Sequence, residues 1–423
     1  MRALQCALFS LFLSLTSASV LSTPQSQQLL QSDNTVEATI ARLLAAHNDD
    51  PVEVMRLMDP AYAATLDEPR LLQVFGSEPM WMSEGDKLRL KKQGLSFIDL
   101  TGRQDSDILK SVETEKQTAW PQLRYQDKVH EIVQSLKMEE MVNNLGNLTS
   151  FFNRYYRSEY GAKSSRWIYD KLVEIVADAP PDVHISLETF THTFPQPSVI
   201  ARFEPARGRT PHNRGIKIPH VIIGAHQDSA NYNFPLLPAP GADDDGSGTV
   251  TILEAFRALV QAGFKPELPV EFHWYAAEEG GLLGSQDVAS EYVYRRIDVG
   301  AMIQFDMTAY VPKDAEPTVT FITTDVDTPL TDWAMGLATE YTTSPVAGAK
   351  LFPGAGSDHM SWHRAGFPAV FATEGDPFQT FNPYIHTADD RIDLADAEFS
   401  FQHALEFAKV AVGFAVELGG WVD

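Results

Sequence analysis

Acidic residues and histidines recur at the ends of several segments that favour β-strands, and in the loops that follow them. The segments concerned are His226-Gln227-Asp228, Asp243-Asp244-Asp245-Gly246, Glu278-Glu279, Asp306 and Ile385-His386-Thr387. Imidazole and carboxylate side chains bind divalent cations and transfer protons. Taken singly, such residues are more often surface pairs, helix caps or loop histidines. Their chemistry therefore depends on whether the fold brings them together.

The segments that precede these residues predict the strands that would carry them. His220–Ala225 is a near-continuous apolar run, typical of a central strand buried on both faces. Further strand patterns occur at Val270–Ala277, Ala301–Phe305, Val319–Thr323 and Ala369–Thr373. Helical patterns cover residues 246–263, 285–296, 328–341, 357–365 and about 396–418. This alternation predicts an α/β fold with a mostly parallel central sheet and helices on both of its faces.

In a sheet of this kind, ligands bind in the crevice beyond the carboxyl ends of the strands. The acidic residues and histidines should therefore meet at one edge, where their like charges would repel one another unless a cation were bound. Imidazole and carboxylate ligands without thiolates favour zinc, manganese or cobalt. The acids outnumber the ligands that one ion needs, so an aspartate could bridge two ions about 3.5–4 Å apart.

A pair of divalent cations would favour amide hydrolysis. Two such ions polarise a carbonyl group and lower the pKa of a bound water. In the pair Glu278-Glu279, one carboxylate could bind metal while its neighbour takes the proton from water. Asp228 could accept the second ring N–H of His226 and so fix the tautomer of that imidazole.

Composition and charge exclude several classes of function. The chain has 423 residues, with 57 Asp and Glu against 33 Lys and Arg, and a formal net charge of −24. Nucleic acids and anionic membranes attract proteins through a positive field, so neither is an expected partner. A single cysteine, Cys6, excludes a disulfide scaffold and a cysteine-rich zinc module.

Residues 1–22 have the three parts of a secretory signal peptide. Arg2 precedes a short apolar stretch from Ala7 to Leu15, and small residues follow. A buried N-terminal helix is the alternative. This apolar stretch is too short to span a bilayer, and no later segment is apolar over the roughly 18 residues that a membrane-spanning helix needs. We therefore expect an extracellular protein without a membrane anchor. In such a protein Asn147-Leu148-Thr149 could accept an N-linked glycan.

Residues 23–118 are polar and would form a separate N-terminal region. Ser83-Glu84-Gly85-Asp86 could cap a helix, and Phe97–Thr101 has the pattern of a short strand. The polar run 102–116 is the best candidate for a linker. Both an accessory domain and a removable pro-segment fit this pattern. The region holds no catalytic constellation, so the chemistry is expected in residues 119–423.

The joint pattern of motifs resembles the secreted di-zinc aminopeptidases typified by bacterial and fungal leucyl aminopeptidases. The motifs that carry this resemblance are His226-Gln227-Asp228, Ala239–Gly248, Ala276–Leu282, Gln304–Thr308, Ser357-Asp358-His359 and Ile385-His386-Thr387. The resemblance covers roughly residues 120–420. It implies a zinc aminopeptidase domain at 119–423, preceded by the family's pro-segment at 23–118.

The resemblance also implies a role for individual residues. Asp244 would bridge two zinc ions, Glu279 and His386 would complete one site, and His226 with Asp306 would complete the other. Glu278 would be the general base, and the Asp244–Asp245 peptide bond would be cis. A hydrophobic pocket for the N-terminal side chain of the substrate would be lined by Met307, Phe371, Phe378, Phe381 and Ile385.

Residues 351–356 depart from the pattern of some bacterial members. Those members have a disulfide and a tyrosine in the loop before Ser-Asp-His, whereas this loop reads Leu-Phe-Pro-Gly-Ala-Gly. Other packing would have to replace the disulfide. Because the tyrosine is absent, the hydrogen bond that it gives to the transition state in those members cannot be assumed for this protein. Its absence could also change which N-terminal side chains of the substrate are preferred.

The expected function is a zymogen-type secreted metallo-aminopeptidase, a monomer that cleaves hydrophobic residues from the N-termini of peptides and proteins. A related zinc hydrolase, such as a carboxypeptidase or a deacylase, is one alternative, although it would need a basic residue for the substrate carboxylate. A single-zinc glutaminyl cyclase is another. A non-catalytic metal-binding module is the alternative outside the enzymes. It predicts that the general base or one of the metal ligands has been replaced.

Overall fold

The computed structural model describes residues 35–103, 120–206, 219–394 and 398–423. The predicted signal peptide and most of the predicted linker at 102–116 lie outside the described residues. The chain divides into two compact units, residues 1–50 and 51–423. In the first unit the described residues form helix α1 (Val36–Ala46), whose N-terminus is capped by the Thr35 side chain. The candidate site lies wholly in the second unit.

The second unit begins with a small α+β region. Its helices are α2 (Pro51–Met58), α3 (Pro60–Ala63) and α4 (Glu84–Lys92), and its strands are β1 (Pro69–Val74), β2 (Met80–Ser83) and β3 (Phe97–Asp99). The strands form an antiparallel sheet in the order β2-β1-β3. Helix α4 starts where the sequence predicted a cap, because Ser83 and Asp86 each accept a hydrogen bond from the other's backbone N–H. Strand β3 is shorter than the predicted strand 97–101.

Among the described residues, the central sheet of this unit has eight strands in the order β10-β9-β11-β8-β6-β7-β5-β4. They are β4 (Ile185–Phe190), β5 (Ser198–Phe203), β6 (His220–His226), β7 (Val270–Tyr275), β8 (Val299–Phe305), β9 (Val319–Ile322), β10 (Val346–Ala349) and β11 (Ala369–Thr373). Strand β6 pairs in parallel with both β7 and β8, and β8 pairs in parallel with β11. Strands β5 and β4 add to one side as antiparallel strands. The predicted α/β class is therefore confirmed, with a mixed sheet whose centre is parallel.

Helices cover both faces of this sheet. They are α5 (Gln126–Val133), α6 (Met138–Leu148), α7 (Glu159–Ala177), α8 (Gly248–Gln261), α9 (Leu283–Arg295), α10 (Thr328–Tyr341), α11 (His359–Arg364) and α12 (Phe401–Gly419). Val221 and Ile223 of β6 pack into one core with α8 and α12, while Ile222 packs into a second core with α9 and α11. Strand β6 is thus buried on both faces, as its apolar run predicts. None of the helices among the described residues is long and apolar enough to span a bilayer.

Several predicted boundaries shift, and some of the shifts occur beside the candidate site. The long helix predicted from 246 starts as α8 at Gly248, after a distorted helical turn, Ala242–Ser247, whose Asp244 and Asp245 have non-helical backbone angles. Strand β7 ends at Tyr275, before the predicted Ala277, which has a positive φ of 56°. The last helix begins at Phe401 behind the cap of Ser400, and residues 395–397 lie outside the described part of the chain.

Candidate metal centre and active site

The ends of three adjacent parallel strands carry part of the candidate site. His226 is the last residue of β6, Asp306 directly follows β8, and Glu279 lies just beyond the end of β7. Asp244 lies in the distorted turn before α8, and His386 lies in the chain between β11 and α12. Because β6 is hydrogen-bonded to β7 on one side and β8 on the other, their carboxyl ends meet at one edge. The fold therefore brings the five predicted ligands together.

Asp244 occupies the centre of this arrangement. Its Oδ1 atom lies 2.9 Å from Nε2 of His226, and its Oδ2 atom lies 2.8 Å from Nε2 of His386. On the first side Asp306 Oδ1 is 3.7 Å from the His226 nitrogen, and on the second side Glu279 Oε1 is 3.3 Å from the His386 nitrogen. Two groups of three potential ligands thus share one carboxylate, which presents one oxygen to each group.

The ligand spacing fits zinc-like ions. Ligands at 2.0–2.1 Å from a tetrahedral zinc ion lie about 3.3 Å from one another. The four histidine–carboxylate separations in the two groups range from 2.8 to 3.7 Å around this value. Four of the five side chains are buried, and His386 is partly exposed. Oε1 of Glu279 is buried without a hydrogen-bond partner, although it faces the imidazole of His386. A cation between these two groups would satisfy that oxygen.

The imidazoles compensate part of the buried negative charge. Burial would raise the pKa of Asp244, but His386 and His226 hold that pKa well below its usual value. Burial and the nearby charge of Asp306 raise the pKa of Asp245 well above its usual value. The site therefore contains more carboxyl groups than its imidazoles can neutralise, and divalent cations suit this excess.

Glu278 and Glu279 have different surroundings. The Glu278 side chain lines the cavity beside the centre, while Glu279 belongs to a ligand group. Asp228 holds both in place, because its two carboxylate oxygens accept the backbone N–H of Glu278 at 3.0 Å and that of Glu279 at 3.2 Å. Burial and the charge of Glu279 raise the pKa of Glu278 well above its usual value. A carboxyl group with a raised pKa is suited to accept and return a proton.

The predicted contact between Asp228 and His226 is long. Oδ1 of Asp228 lies 3.5 Å from Nδ1 of His226, and Nδ1 has no hydrogen-bond partner. The close contacts of Asp228 are those to the two backbone N–H groups, which the sequence pattern did not reveal.

Two further aspartates, Asp245 and Asp390, accept backbone hydrogen bonds around the candidate ligands. Asp245, joined to Asp244 by a cis peptide bond, accepts the backbone N–H of His226 at 3.0 Å and that of Met307 at 3.1 Å. Asp390 accepts the backbone N–H of Asp244 at 3.1 Å. The carboxylates of Asp244 and Asp245 therefore have separate tasks. The run of aspartates in the sequence indicated where the site lies, but it did not show which carboxylate has which task.

Arg154 braces the loop of residues 227–241, which joins His226 to Asp244. Its buried guanidinium donates to the carbonyl oxygens of Gln227, Pro240 and Gly241, with distances of 2.8 Å to Gln227 and to Gly241. These carbonyls lie at the two ends of the loop. A single side chain thus joins the two ends of the loop, and nothing in its local sequence marks Arg154 for this role.

A cavity of about 520 Å³ adjoins the centre. Four of the five residues predicted to form the pocket line it: Met307, Phe371, Phe381 and Ile385. Phe378 is not among the lining residues, and 64% of its surface is exposed. Phe352, which the sequence analysis did not select, lines the cavity and packs edge-on against Phe378 and Phe381, with ring centroids 6.2 and 5.4 Å away. Aromatic packing thus occupies the loop that lacks a disulfide.

Residues of the small α+β region also line this cavity. They are Lys91, Lys92, Gly94 and Ser96. The ammonium group of Lys91 donates to the Tyr232 hydroxyl at 2.5 Å and to Glu279 Oε2 at 3.1 Å. A basic side chain from the N-terminal region therefore contacts a ligand group.

Comparison with known proteins gives consistent matches. The profile of peptidase family M28 matches residues 207–410. Leucine aminopeptidase 1 of Fusarium vanettenii is 40% identical over 84% of this chain and 88% of the relative, and that of Emericella nidulans is 38% identical over 86% and 92%. The crystal structure of Legionella pneumophila LapA aminopeptidase superimposes with a TM-score of 0.69 and 26% identity, covering 85% of this chain and 96% of that one.

Replacing Arg154 by methionine should strongly destabilise the protein. The change removes three hydrogen bonds and a buried positive charge that interacts with several buried aspartates, which costs about 3–5 kcal/mol of the free energy of unfolding. Urea denaturation would measure this loss. Arg166→Met, at an exposed arginine, is the matched control and should change the free energy by less than about 0.5 kcal/mol. Equal effects of the two substitutions would contradict the bracing role.

Proposed function

Because this chain belongs to peptidase family M28, we propose that it is a secreted aminopeptidase that uses two zinc ions and prefers hydrophobic N-terminal residues. The observation that carries the proposal is the geometry around Asp244, whose two oxygens each face a histidine of a separate ligand group. A single-ion site would need only one such group. Glu278 lies beside both groups in the adjoining cavity.

The mechanism that we propose assigns the proton transfers to Glu278. Zinc ions held by His226, Asp244, Asp306, Glu279 and His386 would polarise the scissile carbonyl and lower the pKa of a water molecule. Glu278 would accept a proton from the attacking water and later donate it to the leaving amine. Its raised pKa and its place on the cavity wall suit both steps. Asp228 keeps the backbone of this glutamate in place.

The cavity favours a hydrophobic residue at the N-terminus of the substrate. Met307, Phe371 and Ile385 form an apolar wall next to the ligand groups. A side chain such as leucine would gain about 1.5–3 kcal/mol by burial against such a wall. The Leucine aminopeptidase 1 relatives are named for a preference of this kind.

The alternatives fit the cavity less well. A carboxypeptidase needs a cation for the substrate carboxylate, and the described lysines and arginines that line the cavity are Lys91 and Lys92, both from the small α+β region. A single-zinc glutaminyl cyclase would not need both ligand groups. A non-catalytic binding module would not need Glu278, which is present beside them.

A substrate panel would test the reaction class. We expect hydrolysis of leucine anilide, little hydrolysis of N-acetyl-leucine anilide, cleavage of peptides with a blocked carboxyl terminus, and loss of activity in a chelator. The free N-terminus and the metal are both required by the proposed mechanism. Cleavage of the N-acetylated substrate, or indifference to the chelator, would contradict it. Liquid chromatography of the products would identify the bond that is cut.

Substitution of the two adjacent glutamates should separate proton transfer from metal binding. Glu278→Gln should retain two zinc ions and lower kcat about 10²–10⁴-fold, the usual contribution of a general base. Glu279→Gln should lose zinc from one site. Zinc content by atomic emission and kcat on leucine anilide give the two readouts. A Glu278→Gln protein with nearly normal kcat would remove Glu278 from this role.

We further propose that residues 23–118 are a pro-segment that covers the active site before removal. The contact of Lys91 with Glu279 supports this, as does the hydrogen bond of 3.1 Å from Asp99 N to Gly281 O in the turn after the glutamate pair. An ion pair of 3.0 Å between buried Glu84 and partly exposed Arg157 adds a third anchor. A signal peptide at 1–22 would direct export, and Asn147, which is exposed at the end of α6, would be available for glycosylation.

Removal of the pro-segment should increase activity. Limited proteolysis of the full chain in the predicted linker should produce a mature start near residue 119 and a rise in kcat/KM, because the cavity loses one wall. N-terminal sequencing and assay of the same samples would check this. Full activity in a secreted protein that starts near residue 23 would instead indicate a permanent accessory domain.

A further inference from the structure

Tyr232 touches both terminal ligands of one predicted zinc site. Its ring stacks on the imidazole of His386, with the ring centroids 3.7 Å apart and the planes 6° from parallel. Its hydroxyl donates to Oε2 of Glu279 at 2.8 Å. Its backbone N–H donates to the carbonyl oxygen of His386 at 2.9 Å. One residue therefore constrains two ligands that lie far apart in the sequence.

The backbone of His386 needs such support. His386 has a φ of 59°, in the left-handed region that residues other than glycine rarely adopt. This conformation directs its Nε2 atom to Asp244 Oδ2 at 2.8 Å. The backbone hydrogen bond and the stacked ring of Tyr232 hold the histidine from two directions in this conformation.

Ser357 makes the corresponding contact at the other site. Its hydroxyl donates to Oδ2 of Asp306 at 2.5 Å, while Oδ1 of Asp306 faces His226. In the same way, the Tyr232 hydroxyl binds Oε2 of Glu279, and Oε1 faces His386. Each terminal carboxylate thus has one oxygen fixed by a hydroxyl and the other directed to the predicted ion.

We propose that Tyr232 is a positioning residue that sets the affinity of the Glu279–His386 site for zinc, with the Ser357 hydroxyl at the His226–Asp306 site as the comparison within the same molecule. The inference rests on the proposed two-zinc function. Partners that orient metal ligands typically contribute 10–100-fold to metal affinity. The ring of Tyr232 contributes by packing against the imidazole, and its hydroxyl contributes by fixing one carboxylate oxygen.

Zinc titration of the full chain tests this assignment. The metal is first removed with a chelator, and zinc is then returned in competition with a chromophoric chelator. Tyr232→Phe keeps the stacked ring but lacks the hydroxyl, so one of the two ions should bind 10–100-fold more weakly while the other is unchanged. Tyr232→Leu, which also loses the aromatic stack, should weaken the same ion further.

Three additional variants control the experiment. Ser357→Ala should weaken one ion only, and the double variant Tyr232→Phe/Ser357→Ala should weaken both, because the two hydroxyls serve different sites. Lys91→Met keeps the hydroxyl of Tyr232 but removes the competing ammonium group from Glu279 Oε2, so it should not weaken zinc binding. Thermal melting of each metal-free variant close to that of the metal-free parent would show that the fold is intact.

The outcomes separate this inference from the proposed function. A parent protein that binds fewer than two zinc ions would overturn the two-zinc proposal itself. A parent that binds two ions, with Tyr232→Phe binding both as tightly as the parent, would overturn the positioning role alone. Equal weakening of both ions by Tyr232→Phe, or weakening of the same ion by Tyr232→Phe and Ser357→Ala, would also overturn it.

Discussion

The burial of many carboxylates at one edge of a parallel sheet is the constraint on which the rest of the site depends. Buried negative charges repel one another and lose hydration, so each needs a compensating partner. The structure supplies two imidazoles, backbone N–H groups, hydroxyls and the guanidinium of Arg154. The negative charge that these partners do not compensate lies around Asp244, where the two ligand groups meet.

The acids divide according to what they face. Asp244, Glu279 and Asp306 direct at least one oxygen to a histidine of a candidate ligand group. Asp228 and Asp245 instead bind backbone N–H groups and hold the turns in which the ligands lie. Ligands and their supports thus have the same chemical type, and only their position in the fold distinguishes them.

Because ligands and supporting acids have the same chemical type, the sequence could predict where the site lies but not the role of each acid. The alternation of strand and helix patterns was sufficient to predict a mostly parallel sheet, and the acids after the strands were sufficient to predict the meeting of the ligand segments at its edge. Strands β4 and β5 escaped notice because they lie at the antiparallel side of the sheet, away from any acidic motif. Arg154 and Tyr232 could not be found by pattern, since their roles arise from contacts across the fold with carbonyl groups and with another loop.

The loop of residues 227–241 has a consequence for the divergence of relatives. Since the guanidinium of Arg154 joins its two ends, the loop behaves as a closed ring, and Tyr232 within it contacts His386 and Glu279. Insertions or deletions between Asn233 and Pro238 would change the outer part of this ring without moving His226 or Asp244. Evolution could therefore alter substrate access on this side of the cavity while the chemistry stays constant, provided that the segment up to Tyr232 is kept.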